Sequence, residues 1–282
     1  MASKYHVRSN SFPSQSHPSS TRIEQELNKI KTWEATSTSD SISNGLSMLE
    51  DLYISLEDLL NMTSTQKVIS HHQCEKSVEE LLDGSIKILD ICGIARDTMS
   101  EIKENVKSLQ SSLRRRKGDS SIEKSIFEYK FFTKKMKKNV TKLISSLKRM
   151  ECKFGASSLL NQDQEVVAVI KALRGVIVIN MSLFQSILSF LASKSKATKW
   201  LKLAKLVHRK EVTCEENFNE LQCAEASLRT LLREGSDAAE MRAAHESLEA
   251  LENAVERIEN GLESVFRRLV KTRVCFLNIM TQ

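Results

Sequence analysis

The near absence of proline is the feature that most constrains how this chain can fold. Pro13 and Pro18 are the only prolines in 282 residues, and the chain holds just eight glycines. Sheets and α/β folds need many turns that use these two residues, whereas proline inside a helix breaks it. The sequence therefore predicts an all-α protein: an elongated bundle of six to eight long, partly coiled-coil-like helices with no sheet.

The N-terminal segment differs from the rest of the chain. Residues 1–20 are rich in Ser, His and Pro and contain few apolar side chains that a core could bury, which predicts a disordered tail. Residues 21–282 are then expected to form a single helical domain. Thr21 and Glu24 have the spacing of a capping box, which predicts that the first helix begins there.

Two features in the first half of the chain predict where helices break or touch. An amphipathic helix is expected from about 41 to 61, and Thr63, Ser64 and Thr65 are expected to break it. A continuous helix is expected over 68–117. Gly84 and Gly93 interrupt its pattern, and they are expected to mark close helix contacts or a bend.

The most apolar stretch has two interpretations. Residues 175–192 contain no charge over 18 positions, which is the lower end of a membrane-span length. Its polar residues recur at intervals of three and four, however, and so form one stripe along a helix. A buried bundle helix with one wetter edge explains that stripe better than a span through lipid does. The stripe comprises Ser182, Gln185, Ser186, Ser189 and Ser193.

The C-terminal helix, expected from about 237 to 279, has the sharpest periodicity in the chain. Apolar residues alternate at intervals of three and four over nearly six heptads, with Thr272 as a polar member. This pattern predicts a seam buried against the chain's own bundle; the alternative is self-association through an intermolecular coiled coil. The seam includes Met241, Leu248, Leu251, Val255, Ile258, Leu262, Val265 and Leu269.

Charge is segregated along the chain although the net charge is only +6. Residues 103–153 hold 16 basic and 5 acidic groups, and residues 211–263 hold 14 acids against 4 arginines. These two segments are expected to pack against each other, with pairs that salt weakens. Residues 194–210 add seven Lys/Arg and no acid.

Two basic runs are candidate interaction surfaces. Phe131 and Phe132 lie beside the second run. A solvated helix face explains both runs, and the alternatives are a nuclear-import signal, an anionic-lipid patch or a nucleic-acid contact. Nothing resembles a base-reading motif, so specific nucleic-acid binding is not expected. The runs are Arg114, Arg115, Arg116 and Lys117, and Lys134, Lys135, Lys137 and Lys138.

Signals of enzymatic chemistry are absent from the sequence. It contains no glycine-rich phosphate loop, no nucleophile-elbow motif and no Cys pair with metal-ligand spacing. We therefore expect no enzyme, no cofactor, no catalytic residues and no metal site. Six scattered cysteines and no apolar stretch after Met1 favour a cytoplasmic protein, with nuclear or membrane-associated locations as alternatives.

The tail carries one short candidate motif. Arg8 stands three residues before Ser11, and Pro13 stands two after it. This spacing is typical of a phosphoserine ligand of 14-3-3 proteins, whose basic pocket binds the added charge. The alternative is an organelle transit peptide, because the first 22 residues are Ser-rich and have no acid.

Several sequence blocks together resemble a known family. They occupy 6–18, 45–60, 64–68, 80–123 and 258–282, and they are similar to the plant-specific family catalogued as domain of unknown function 241, also called BYPASS-related. The resemblance implies a helical, non-enzymatic protein linked to root and shoot development. It supplies no catalytic or ligand residues.

The expected function is therefore that of a non-catalytic interaction or adaptor protein that acts in plant development through its helix faces. One alternative is a peripheral membrane protein that binds anionic lipid through basic helices. Another is a single-pass membrane protein that spans the bilayer through 175–192.

Overall fold

The computed structural model describes residues 18–33, 36–71, 74–115, 119–155, 164–192, 218–234 and 237–281. Within these ranges every regular element is a helix, and the predicted all-α fold is confirmed. The helices are α1 (Pro18–Lys31), α2 (Ser39–Leu60), α3 (Thr63–Ile69), α4 (Glu75–Arg114), α5 (Asp119–Gly155), α6 (Gln164–Ala192), α7 (Glu220–Glu234) and α8 (Ala238–Met280).

Two predicted boundaries near the N-terminus are wrong. Helix α1 begins at Pro18, three residues before the predicted capping box at Thr21. Proline suits a first helical turn because the N–H that it lacks would have no helical partner there. The last residues of the predicted tail at 1–20 therefore belong to a helix, and residues 1–17 lie outside the described ranges.

The second predicted helix ends where expected, near Asn61, but Thr63–Thr65 do not form the break. The chain leaves the helix at Asn61 and Met62, and Met62 is extended with φ −73° and ψ 132°. Residues Thr63–Ile69 then form the short helix α3, and the long helix α4 starts only at Glu75. The predicted helix over 68–117 is thus two helices, because Ser70 ends the first of them.

Helix α8 is the axis of the fold. Its 43 residues extend about 65 Å, and it packs against α2, α4 and α7. The seam from Leu248 to Leu269 is buried, with Leu251, Ile258 and Leu262 fully enclosed, whereas Met241 is half-buried. The seam therefore faces helices of its own chain.

Helix α6 lies among α1, α2, α3, α4 and α5. By length and composition, its segment Val166–Ala192 is the one helix among the described residues that could cross a membrane, but 61% of its most apolar window is buried by other parts of the chain. Ser182 is exposed, and Gln185 and Ser189 are half-buried. Ser186 is buried and Ser193 lies outside the described residues, so only three members of the predicted polar stripe form a wetter edge.

Gly84 marks a close contact, as the sequence predicted. A Cβ at Gly84 would lie 2.5 Å from Cζ of Phe154 in α5 and 3.5 Å from Cγ2 of Ile177 in α6. Glycine thus lets three helices meet at this point. At Gly93 a Cβ would meet nothing within 4 Å, so that glycine marks no close contact.

Ion pairs join the basic end of α4 to α8, as the charge pattern predicted. Lys103 pairs with Glu259, and Lys107 lies 3.6 Å from Glu252. Farther along the same interface Arg96 pairs with Glu263 at 2.7 Å. These pairs run across one antiparallel interface, because the residue numbers rise on α4 as they fall on α8.

Candidate functional site

The inner face of α5 is a seam of buried residues that recur at alternating intervals of four and three. Tyr129 is the largest of its members, and burial raises the pKa of its hydroxyl group, with a smaller contribution from the charge of Glu225. The seam packs mainly against α4 and α6, so the opposite face points away from the bundle. The buried members are Ile122, Ile126, Tyr129, Thr133, Met136, Val140, Leu147 and Met150.

The opposite side of α5, which we call the outer face, combines cations with aromatic rings. Phe127 is 62% exposed and Phe131 is 74% exposed, the two highest values among the exposed large apolar side chains. They stand one helical turn apart, so both rings project from the same side. The outer face consists of Lys124, Phe127, Phe131, Lys134, Lys135, Lys138, Lys142 and Arg149, all of them exposed.

The cations of the outer face are not neutralised within the described part of the chain. None of the six has a carboxylate oxygen within 4.0 Å there. Between 124 and 149 the sequence contains nine Lys/Arg and a single acid, Glu128. Within the described part of the chain, the outer face is therefore a strip of positive potential.

Only part of the second predicted basic run lies on the outer face. Lys134, Lys135 and Lys138 are exposed, but Lys137 is half-buried and pairs with Glu225 of α7. Phe132, expected beside the lysines, is partly buried against the core. The second exposed ring is Phe127, and Lys130 Nζ lies 5.7 Å from its ring centroid.

The first basic run begins at the end of α4, before α5 starts. Arg114 and Arg115 are exposed at the end of α4, while Arg116 and Lys117 lie outside the described residues. About 22 Å of helix separate the start of α5 at Asp119 from Lys134. The two runs therefore form distinct surfaces.

Among the described residues, Cys92 and Tyr53 are buried titratable groups with raised pKa values. Burial raises the pKa of the Cys92 thiol to about 12. The charge of Arg96 lowers this pKa by a smaller amount, and the charge of Glu263 raises it. Burial also raises the pKa of Tyr53, whose hydroxyl donates to Asn180 Oδ1 at 3.2 Å. A thiol with so high a pKa is a poor nucleophile at neutral pH.

Comparison with known families agrees with the helical architecture and the sequence blocks. The sequence profile of the family described as Protein BPS1 matches residues 45–279. The chain belongs to the BPS1 family. Membership places it among plant developmental proteins and confirms the resemblance to BYPASS-related proteins. No curated protein and no solved structure gave a match.

Of the exposed aromatic pair, Phe131 was named from the sequence and Phe127 was missed, although the sequence carries a signal for both. The four-three seam of α5 runs through Ile126, Tyr129 and Thr133. Phe127 and Phe131 fall outside that seam, and this predicts their exposure. In contrast, the tail motif at Arg8, Ser11 and Pro13 and the basic segment 194–210 lie outside the described residues.

Proposed function

We propose that this BPS1-family protein is a non-catalytic helical protein that docks on anionic membrane surfaces through the outer face of α5. The observation that carries the proposal is the pair Phe127 and Phe131, exposed among six unpaired cations. Apolar rings insert at the boundary between headgroups and acyl chains, while lysines bind anionic headgroups. Anionic lipid is concentrated in the cytoplasmic leaflet, so this location combines the cytoplasmic and membrane-associated hypotheses.

Known energies of membrane attraction are large enough for this docking. Each Lys or Arg near an anionic surface contributes about 1 kcal/mol, and the outer face has six such groups. Insertion of each Phe ring adds up to about 1.5–3 kcal/mol from apolar burial. Two kinds of attraction therefore act together, as stable peripheral binding requires.

The arrangement of α6 favours peripheral docking over a single-pass topology. Phe184, Ile187, Leu188 and Phe190 are fully buried against other helices of the chain. Moving this helix into lipid would expose the facing sides of its neighbours to water. The outer face of α5 is already exposed, so docking through it leaves the bundle intact.

The test measures sedimentation of the full chain with vesicles of phosphatidylcholine and phosphatidylserine. We expect binding to these vesicles and none to pure phosphatidylcholine. The triple variant Lys134→Gln, Lys135→Gln, Lys138→Gln should bind roughly 100-fold more weakly, because it loses three headgroup contacts. A second variant, Phe127→Ser with Phe131→Ser, should weaken binding about tenfold or more while keeping every charge.

The matched control removes three other exposed lysines that have no carboxylate partner among the described residues: Lys67, Lys76 and Lys87. This control has the same net charge as the α5 triple variant and should keep most of the binding. Equal loss in both triple variants would contradict a specific face and indicate attraction by net charge alone. Binding to the acidic polymer polyglutamate is measured as well. If the wild type and the Phe variant bind polyglutamate equally, the face is assigned to acidic proteins instead.

A second candidate function, interaction with another copy of this chain, is supported by the end of α8. Its last turns expose an apolar stripe whose members recur at intervals of three and four: Val270, Val274, Leu277 and Met280, 39–51% exposed. An apolar stripe on one helix can pair with itself across a two-fold axis. This candidate retains the adaptor hypothesis, in which helix faces bind proteins.

Self-association would make thermal stability depend on concentration. We expect the melting temperature of the wild type to rise with protein concentration, and Val274→Lys to remove that rise. Val178→Lys is the control, since Val178 on α6 is 40% exposed and lies away from the stripe. A melting temperature that is independent of concentration would exclude this candidate.

A further inference from the structure

A polar groove lies at the end of α4 where it faces α8. Its volume is about 430 Å³, which falls within the range of small-molecule sites. Lys107, Arg114 and Arg115 supply three positive charges against the single carboxylate of Glu252. Gln110 and Ser111 complete the lining. The groove is thus a cationic site of ligand size, and none of its lining residues belongs to the outer face of α5.

Gln110 is the most informative residue of this lining. The residue is 6% exposed, and its amide is not among the buried polar atoms without a partner, so the exposed part of the side chain includes the amide. Because the residue lines the groove, that amide is placed to donate a hydrogen bond to a ligand there.

The remaining side chains favour a multiply charged anion. Arg115 Nη2 donates to Ser111 Oγ at 2.6 Å, which holds that guanidinium over the groove. Arg114 has no carboxylate partner among the described residues. Glu252 lies 3.6 Å from Lys107 and neutralises one of the three cations. Two net positive charges remain, arranged around amide and hydroxyl donors, and arginine forks suit phosphate oxygens.

We propose that this groove binds a compact molecule with clustered phosphate groups, either as a soluble polyphosphate or as a phosphorylated lipid headgroup. Guanidinium groups of Arg114 and Arg115 contact the phosphates, and Gln110 donates its amide N–H to a phosphate oxygen. Lys107 joins them once it is released from Glu252. This site is independent of the outer face of α5, so each can exist without the other.

The test measures binding of inositol hexakisphosphate to the full chain by calorimetry without membranes. We expect one molecule to bind per chain. Arg114→Gln should weaken binding about tenfold, since it removes a charge-assisted contact. Glu252→Gln should tighten it severalfold, because that substitution removes the one carboxylate and frees Lys107. A gain of affinity from a substitution cannot result from misfolding.

Two matched controls distinguish binding at a specific site from an effect of net charge alone. Arg267→Gln removes an exposed arginine of α8 that pairs only with Glu263 on its own helix, and Glu249→Gln removes an exposed carboxylate that lies outside the groove. Both should leave the affinity unchanged within about twofold. Equal effects of Arg267→Gln and Arg114→Gln, or no gain from Glu252→Gln, would overturn the proposal, as would no binding by the wild type.

A vesicle experiment distinguishes the two sources of phosphate. Vesicles with phosphatidylinositol 4,5-bisphosphate are compared with phosphatidylserine vesicles of equal charge, using the α5 variant Lys134→Gln, Lys135→Gln, Lys138→Gln. Residual preference for the phosphorylated lipid, displaced by inositol hexakisphosphate, identifies a headgroup. Binding of the soluble compound without that preference identifies a free ligand. Because the soluble assay needs no membrane, failure of α5 docking leaves its result intact.

Discussion

Helices α4 and α5 both carry cations, but those cations meet different surroundings. Helix α4 holds six Lys/Arg and eight acids, whereas α5 holds ten Lys/Arg and four acids. On α4, Arg96, Lys103 and Lys107 lie against glutamates of α8. On α5, the outer-face lysines meet no carboxylate in the described ranges. The difference arises because α4 is an interior helix between α5, α6 and α8, whereas α5 packs mainly on one side. Cations of α4 therefore pair across an interface with α8, whereas the outer-face cations of α5 stay exposed.

The largest expected effect comes from the seam that holds α8 between its neighbours. Leu251 and Ile258 are fully buried, and truncation of each to Ala should cost about 2–5 kcal/mol. Because total stability is typically about 5–15 kcal/mol, the double variant should be largely unfolded by circular dichroism. Glu249→Ala, at an exposed neighbouring site, should change stability by less than about 0.5 kcal/mol. Similar effects from the two variants would mean that the buried face is misassigned.

A smaller effect is expected at Glu57, which accepts hydrogen bonds from Arg268 and Lys271 at 3.1 and 2.7 Å. Burial alone would raise the pKa of Glu57, but these two bonds outweigh it and lower the pKa. The ionised form thus stabilises the fold above the normal carboxyl pKa, and this stabilisation is lost as pH falls through the lowered value. Glu57→Gln should cost about 1–2 kcal/mol at pH 7. In urea unfolding the deficit should vanish in strong acid; a deficit that is equal at both pH values would contradict this account.

Next in size is the charge contact between α4 and α8. Lys103 and Glu259 are both about three-quarters buried, so Glu259→Gln should destabilise the fold by about 1 kcal/mol and leave Lys103 without its partner. High salt should reduce this difference because it screens the pair. The measurement is thermal melting at low and high NaCl. If the stability difference between wild type and Glu259→Gln grew with salt, charges around the pair would be repelling it.

The smallest effect on stability is expected on the outer face of α5. Phe131→Ser and Lys135→Gln should each change the free energy of unfolding by less than about 0.5 kcal/mol, since both side chains are exposed and Lys135 has no described partner. Lys135→Gln should if anything stabilise α5 by relieving repulsion from neighbouring lysines. Chemical unfolding of both variants gives the answer. A loss above 1 kcal/mol in either variant would mean that the face is covered inside the fold and would break the contrast with α4.

Sequence periodicity was sufficient where one face of a long helix is apolar without interruption. The α8 seam was predicted residue by residue because an unbroken three-four repeat permits only one buried face. Helix starts were harder: the end of α2 near Asn61 was predicted, but Thr63–Thr65 were expected to lie in the break and instead begin α3. Threonine and serine favour the first turn of a helix as readily as a break, so local sequence left both outcomes open.

The candidate site was only half determined by the sequence. Lys134, Lys135 and Lys138 were predicted, but Lys137 pairs with Glu225, and Lys124, Lys142 and Arg149 were not singled out. Phe132 was expected at the surface with Phe131, whereas the α5 seam exposes Phe127. The groove at the end of α4 could not be found from the sequence at all. It combines Gln110 of α4 with Glu252 of α8, and nothing local indicates that these two residues meet.

By itself, the sequence determined that this protein is helical, where its longest apolar faces lie and how its charge is divided, because those properties follow from residue type and spacing along one helix. The tertiary structure decided which charges are neutralised and which aromatic rings remain in solvent. Those outcomes depend on the number of neighbours that each helix acquires: α8 is enclosed by α2, α4 and α7, while α5 rests mainly on α4 and α6. Packing between distant segments sets the number of neighbouring helices, and residue spacing within one segment does not indicate that number.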